Sequence, residues 1–423
     1  MKINVKEMSY EEVLKLPRLK HKKPLKPQLW LTTLVRIICA PTLSRIKFSY
    51  TTERMDLVKD QPCLILMNHS SFTDMKLAYG IFYPKKMGIV TSVDAMSGIL
   101  GKLMRLLGCT PTRKYVPDMT LIKDIEYMLK KNKTSVLMYP EAGYSFDGCA
   151  TTMPRKLGIL MKRLGVPVVT VITQGAFHRD PLYNMLQIRD VKVSAHVKCI
   201  ATAEEVKEKS VDELDALLAD SFSFDNFAWQ RDNRISIDVP FRADGLHRIL
   251  YKCPHCGVEN QMEGKGIYLT CHACEKQWTM DEYGQLSADV GDTEYPHIPD
   301  WYKWQRECVR TELEEGSYSL DTEVDIAIQV NLNGVCKIGS GRLMHTLDGF
   351  RLVGADGKLD YSQSPAFSHT LYSDYYWYEI GDVIAIGDNE FTYFCFPKEN
   401  ISVTKARLAT EELYKMKKKH RRG

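Results

Sequence analysis

The spacing of apolar and polar positions changes character along the chain. Between residues 63 and 200, short apolar runs alternate with stretches whose apolar residues recur three and four apart. Leu64-Ile65-Leu66-Met67, Ser135-Val136-Leu137-Met138 and residues 165–172 read as buried strands. Residues 97–107 read as a helix, with Ile99, Leu103, Leu106 and Leu107 on one face and Lys102 and Arg105 on another. That face is expected to pack on the core, with a membrane or an acyl channel as its alternatives. Residues 120–131 repeat the period with Leu121, Ile125, Met128 and Leu129. Thr202 with Glu205, and Ser210 with Glu213, have the spacing of capping boxes opening further helices. Strands alternating with helices predict an α/β layer arrangement, a sheet flanked by helices. Near Ile235 the pattern loosens, which predicts a boundary.

Upstream, residues 28–40 predict an amphipathic helix ended by Pro41. Trp30, Leu34, Ile37 and Ile38 share a face, with Thr33 and Arg36 opposite. Such a helix either lies in a membrane interface or packs on the catalytic core. From Asp325 onward, short strands alternate with Asn333-Gly334, Asp348-Gly349, Asp356-Gly357 and Gly387-Asp388-Asn389 turns. Residues 372–380 hold Tyr375, Tyr376, Trp377 and Tyr378, and residues 408–418 predict a closing helix. Several strands and then one helix resemble a pleckstrin-homology or GRAM-like barrel. That likeness assigns no ligand.

Composition narrows the class. A chain of 423 residues suggests two or three domains, and 44% hydrophobic with 26% charged residues is ordinary for a globular protein. The net charge of +4 is slight, but it is unevenly placed. Lys15, Arg18, Lys20, Lys22, Lys23 and Lys26 crowd the N-terminal region; Lys415, Lys417, Lys418, Lys419, Arg421 and Arg422 lie at the other end. Such clusters suit an anionic membrane face or nucleic acid, while a solvated tail accounts equally for the second. The first 25 residues are polar and proline-broken, so no signal peptide is expected. No apolar run reaches the ~18–20 residues of a membrane span. The protein is therefore expected in the cytoplasm, peripheral on the inner face of a membrane.

Four of the 12 cysteines form two knuckles, Cys253-Pro-His-Cys256 and Cys271-His-Ala-Cys274, with fourteen residues between them. Two Cys-x-x-Cys pairs at this spacing predict four thiolates on one tetrahedral zinc in a reducing compartment. A closed four-cysteine shell has no open position for a substrate, so the role is structural. His255 and His272 sit inside the knuckles and are not needed as ligands. Residues 267–270 and 277–280 can pair as strands, and the whole resembles a zinc ribbon. A redox dithiol pair is the alternative. The remaining eight cysteines read as small core residues.

The chemistry is expected at Asn68-His69-Ser70-Ser71-Phe72-Thr73-Asp74, where a strand stops and a helix is expected to start at Ser71. Bent through a turn, His69 can face Asp74, whose carboxylate would orient the imidazole as a general base. Asp74 could instead cap the helix by reaching back to the Ser71 amide. The same spacing recurs at His369 and Asp374, which on a hairpin would face apart or into solvent and are given no catalytic role. The first copy has company: Gly108-Cys-Thr-Pro-Thr-Arg113-Lys114, Pro140-Glu141-Ala142-Gly143-Tyr144-Ser145, and the strand of residues 165–172.

In this order the four pieces resemble the blocks of the glycerolipid acyltransferases, the lysophosphatidic-acid acyltransferase family, over residues 60–200. The resemblance implies His69 and Asp74 as catalytic residues. It implies that Arg113, with Lys114, Arg155 or Lys156, holds an acceptor phosphate, and that Glu141 and Gly143 shape the acceptor pocket. Where the family has an arginine in its Pro-Glu block, this chain has Tyr144. The implied function is transfer of a fatty acyl group from acyl-CoA or acyl carrier protein to the hydroxyl of a lysophospholipid such as 1-acylglycerol-3-phosphate, in phospholipid biosynthesis. The alternatives are an acceptor lacking phosphate and a catalytically inactive membrane-bound scaffold. Nucleic acid is not an expected partner, because the ribbon carries few lysines or arginines. The expected organisation is a basic, membrane-associating region at 1–50, an acyltransferase domain at 51–240, a zinc ribbon at 246–284 and a β-rich domain at 320–423.

Overall fold

The computed structural model describes residues 3–154 and 156–419. Leu64–Met67 lies near the middle of a seven-stranded sheet, between Val168–Gln174 and Ser135–Met138 and parallel to both. Met87–Ser92 and Cys109–Thr112 continue the sheet in parallel on one side. On the other, Ser194–Ala201 runs antiparallel to Val168–Gln174, and Ser49–Glu53 pairs with it at the edge. The period of two along the central strand divides its side chains between two cores. Ile65 and Met67 pack with residues of the helices Leu29–Arg45 and Asp74–Phe82. Leu64 and Leu66 pack with residues of Met119–Lys130, Leu157–Leu164 and Val211–Ser221. Burial on both faces is why these strands read as unbroken apolar runs.

Both expected capping boxes form, at Thr202 with Glu205 and at Ser210 with Glu213. Two expectations are corrected here. The helix expected at residues 28–40 does not end at Pro41 but runs through it to Arg45. Pro41 is exposed and its missing amide costs one hydrogen bond, while Leu31, Cys39 and Leu43 hold the helix to the core on either side. The helix after His69 begins at Asp74 rather than Ser71.

Residues 262–288 form a second sheet, an antiparallel meander of Met262–Lys265, Tyr268–Cys271, Gln277–Met280 and Leu286–Ala288. A third sheet is antiparallel along one path, in the order Leu359–Gln363, Gly349–Gly354, Val335–Thr346, Leu320–Gln329, Thr392–Pro397, Gly381–Gly387, Tyr372–Trp377. Among the described residues no strand pairing joins its two edge strands. The N-terminal strand Val5–Glu7 adds to it in parallel, against Val335–Lys337. The helix Val403–Lys419 packs on this sheet through Ala406, Leu408, Ala409 and Leu413. A further helix, Ile298–Glu314, lies between the second and third sheets in sequence. One continuous core joins Phe146 and Phe177 of the first unit, Trp278 of the second, Trp301 of that helix and the inner face of the third sheet.

Candidate functional site

His69 stands just past the carboxyl end of Leu64–Met67, at the mouth of the parallel part of the sheet, where open α/β sheets place their ligands. Its Nδ1 lies 2.8 Å from Asp74 Oδ2. That same oxygen accepts the Ser70 and Ser71 amides at 2.9 and 3.1 Å. Asp74 therefore both supports the histidine and ties down the turn before its helix, so the two sequence readings of this carboxylate coexist. Ser71 Oγ donates to Asp180 Oδ1 at 2.5 Å, and Asp180 also pairs with Arg179. Ser70 Oγ accepts from Asn68 Nδ2. Both hydroxyls are thus engaged in holding the turn.

The imidazole is sandwiched between two rings. Tyr139 stacks on it at 4.1 Å and Tyr144 at 3.9 Å between centroids. Phe72 stacks on the other face of Tyr144 at 5.0 Å. The His69 side chain keeps 15% of its surface exposed. Burial holds the imidazole well below its ordinary range, and the charge of Lys114 pushes the same way. Burial pushes the Asp74 carboxyl up to about 7, against the pull of the two serine amides. Above that pH the acid is ionised and the ring neutral, the state a general base requires.

Glu141 is fully buried. Its Oε1 accepts the His69 amide at 3.2 Å and its Oε2 the Thr151 amide at 2.7 Å. It joins the two chemistry-bearing loops, and burial raises it to about 7. Gly143 lies under Tyr115: a Cβ there would come 2.3 Å from the phenol oxygen. Tyr115 donates to the Glu141 carbonyl.

The cations expected to hold a phosphate are placed otherwise. Arg113 is buried, and all five of its N–H groups are taken by the third sheet and its turns. They donate to the carbonyls of Gln329, Val330, Asn389 and Glu390 and to Thr392 Oγ1. No donor remains for a substrate, so the phosphate-binding expectation for Arg113 is corrected to a clamp between units. Lys114 is half-buried, 4.2 Å above the Tyr372 ring, and its charge reaches both His69 and Asp374. Lys156 is exposed at the start of Leu157–Leu164, and no contact links it to His69 among the described residues. Arg155, Arg421 and Arg422 lie outside the described residues. Asp374 is buried rather than solvent-facing, and His369 meets Tyr115 edge-on at 5.6 Å.

The four knuckle cysteines converge. Cys253 and Cys274 Sγ are 3.8 Å apart, as are those of Cys256 and Cys271, and all four lie within 4.8 Å. Thiolates at about 2.3 Å from a tetrahedral ion would stand about 3.8 Å apart. His255 and His272 are turned to Glu294 and Glu263 instead. The cluster can hold a metal ion.

The family model for acyltransferases matches residues 49–174. Among solved structures, the 1-acyl-sn-glycerophosphate (LPA) acyltransferase PlsC from Thermotoga maritima aligns over 46% of this chain and 80% of its own. The identity is 15% and the TM-score 0.32. No curated protein sequence matches the chain.

Replacing Arg113 with methionine should strand four carbonyls in the seam between units. Chemical denaturation should report a loss on the order of 3 kcal/mol. A change below about 0.5 kcal/mol, the range of ordinary surface substitutions, would remove the clamp assignment.

Proposed function

Since residues 49–174 form an acyltransferase domain, we propose that this O-acyltransferase moves a fatty acyl group from a thioester donor, acyl-CoA or acyl carrier protein, to the hydroxyl of a lyso-lipid at a membrane surface. The observation that carries the reading is the His69–Asp74 pair at the carboxyl end of the central strand. His69 Nδ1 is engaged by Asp74, so Nε2 takes the acceptor's proton. The acceptor oxygen attacks the thioester carbonyl, the new C–O bond forms, the C–S bond breaks, and the imidazolium returns its proton to the departing thiolate. Asp74 keeps the ring in one tautomer and supports its transient charge. The acceptor's own alcohol is the nucleophile, which agrees with the structural engagement of Ser70 and Ser71.

A membrane site is supported by the outer face of Leu29–Arg45. Leu29, Trp30, Leu34, Ile37 and Ile38 are all exposed. Leu100, Leu103 and Leu106 are also exposed; of the face expected to pack inward, Leu107 is buried while Leu103 and Leu106 turn outward. Gln28 donates to the Leu106 carbonyl, which brings the two faces together. Lys22, Lys23 and Lys26 flank them. No described helix is long and apolar enough to cross a membrane. An exposed apolar stripe beside lysines favours a peripheral position on an anionic leaflet. The four-cysteine site is read as structural zinc. The third sheet with its closing helix is read as a pleckstrin-homology or GRAM-like unit that orients the enzyme rather than binds a headgroup.

His69→Ala should lower lyso-lipid-dependent thiol release by about 10²–10⁴-fold with unchanged thermal stability, and Asp74→Asn should follow it. The wild-type rate should rise with pH through about 7, as Asp74 ionises. A His69→Ala enzyme at the wild-type rate would end the assignment. Cosedimentation with anionic vesicles should be lost in Trp30→Glu/Ile37→Glu; retention at the wild-type level would move the membrane face elsewhere. Elemental analysis should return about one zinc per chain, and a strong chelator should lower the melting temperature. A metal-free protein of unchanged stability would refute the structural zinc.

A further inference from the structure

The Pro-Glu loop is held from outside its own domain. Tyr144, the residue that stacks on His69, offers its carbonyl to Arg407 Nη1 at 3.1 Å. Arg407 belongs to the helix Val403–Lys419 and is 2% exposed, with its guanidinium 4.3 Å above the Phe146 ring. One turn on, Glu411 reaches Arg407 Nε at 3.4 Å and Arg306 Nη1 at 2.7 Å. Glu411 also accepts from Thr152 Oγ1 at 3.0 Å and Thr370 Oγ1 at 2.6 Å. The C-terminal helix therefore grips the loop at Tyr144 and at Thr152. Three residues before Tyr144, Glu141 accepts the His69 amide, and its other oxygen accepts the amide of Thr151, the neighbour of Thr152.

We propose that Arg407 is a positioning residue for acyl transfer: from the C-terminal helix it fixes the loop that lays the Tyr144 ring on His69. Apolar residues of similar volume would join the two units as well as a buried ionic cluster does, because desolvation offsets most of the gain from pairing. What the guanidinium adds is a bond aimed at one carbonyl. The ring of Tyr144 covers one face of His69 only while its backbone stays at that point. The wall against His69 is thus set by two residues that lie 263 positions apart.

This inference rests on the acyl-transfer reading, but part of its test does not. In the full chain, Arg407→Met/Glu411→Gln removes both charges together. The double variant should keep its metal content and cooperative melting while kcat falls about tenfold to a hundredfold and KM for the thioester stays within about twofold. His69 should become several-fold more reactive towards diethyl pyrocarbonate, followed by peptide mass spectrometry, a reading that needs no turnover. Arg407→Lys, which keeps a donor within reach of the carbonyl, should recover much of the protection. A folded double variant with unchanged kcat and unchanged His69 protection overturns the proposal. Should the double variant fail to fold, Tyr144→Leu decides instead: faster modification of His69 supports the positioning chain and an unchanged rate overturns it. A wild-type enzyme inactive on every lyso-lipid would refute the acyl-transfer reading while leaving the protection result to stand by itself.

Discussion

Glu141 is fully buried and accepts one backbone N–H on each carboxylate oxygen, from His69 and from Thr151. Those two amides belong to turns that follow different strands, Leu64–Met67 and Ser135–Met138. The parallel pairing of the strands sets where the turns begin. The carboxylate sets how they face each other. A buried acid left with unmade bonds is expensive, so the arrangement tolerates little drift. His69, Asp74 and the two tyrosine rings inherit that fixed frame.

The same frame shows what could be read in advance. Strands buried on both faces announce themselves as apolar runs, and the helices Leu29–Arg45, Gly98–Leu106, Met119–Lys130, Ala203–Glu208 and Val211–Ser221 are visible from their period or caps. The knuckle cysteines were legible because metal ligation demands residue type and spacing together. The partner of Arg113 is not legible in sequence for a physical reason: a guanidinium suits a phosphate and a set of carbonyls equally, and only the fold decides which it meets. The helix Ile298–Glu314 has no counterpart among the sequence expectations, although Ile298, Trp301, Tyr302, Val309 and Leu313 carry the period, because charged residues fill the positions between them. Pro41 does not act as a stop, because packing on both sides of it carries the helix through. Asp180, Tyr139 and Arg407 act through contacts distant in sequence, and no local pattern marks them.

The third sheet is bound to the first unit by polar seams as well as by shared apolar core. Arg113 occupies one seam, and Asp94 takes the hydroxyls of Tyr372 and Tyr378 in another. Gln329 reaches Ser97, and the Leu332 carbonyl takes the Gly98 amide. Directional bonds of this kind fix orientation more than they add net stability. The β-rich unit forms part of the wall around the His69 and Glu141 loops and is not an appendage on a tether.

The parallel pairing of Val5–Glu7 with Val335–Lys337 also bears on how the protein is made. A ribosome adds roughly 5–20 residues per second, so the first described strand emerges about 15–65 s before the strand it will lie against. Arg113 likewise waits for carbonyls 216 to 277 residues downstream. Through that interval the nascent polypeptide carries a buried-type arginine with nothing to bind. Residues as far as Arg407 must be made before the loops around the imidazole can lock. A chain halted before those residues would expose apolar surface beside an incomplete wall around His69, which is a burden for chaperones.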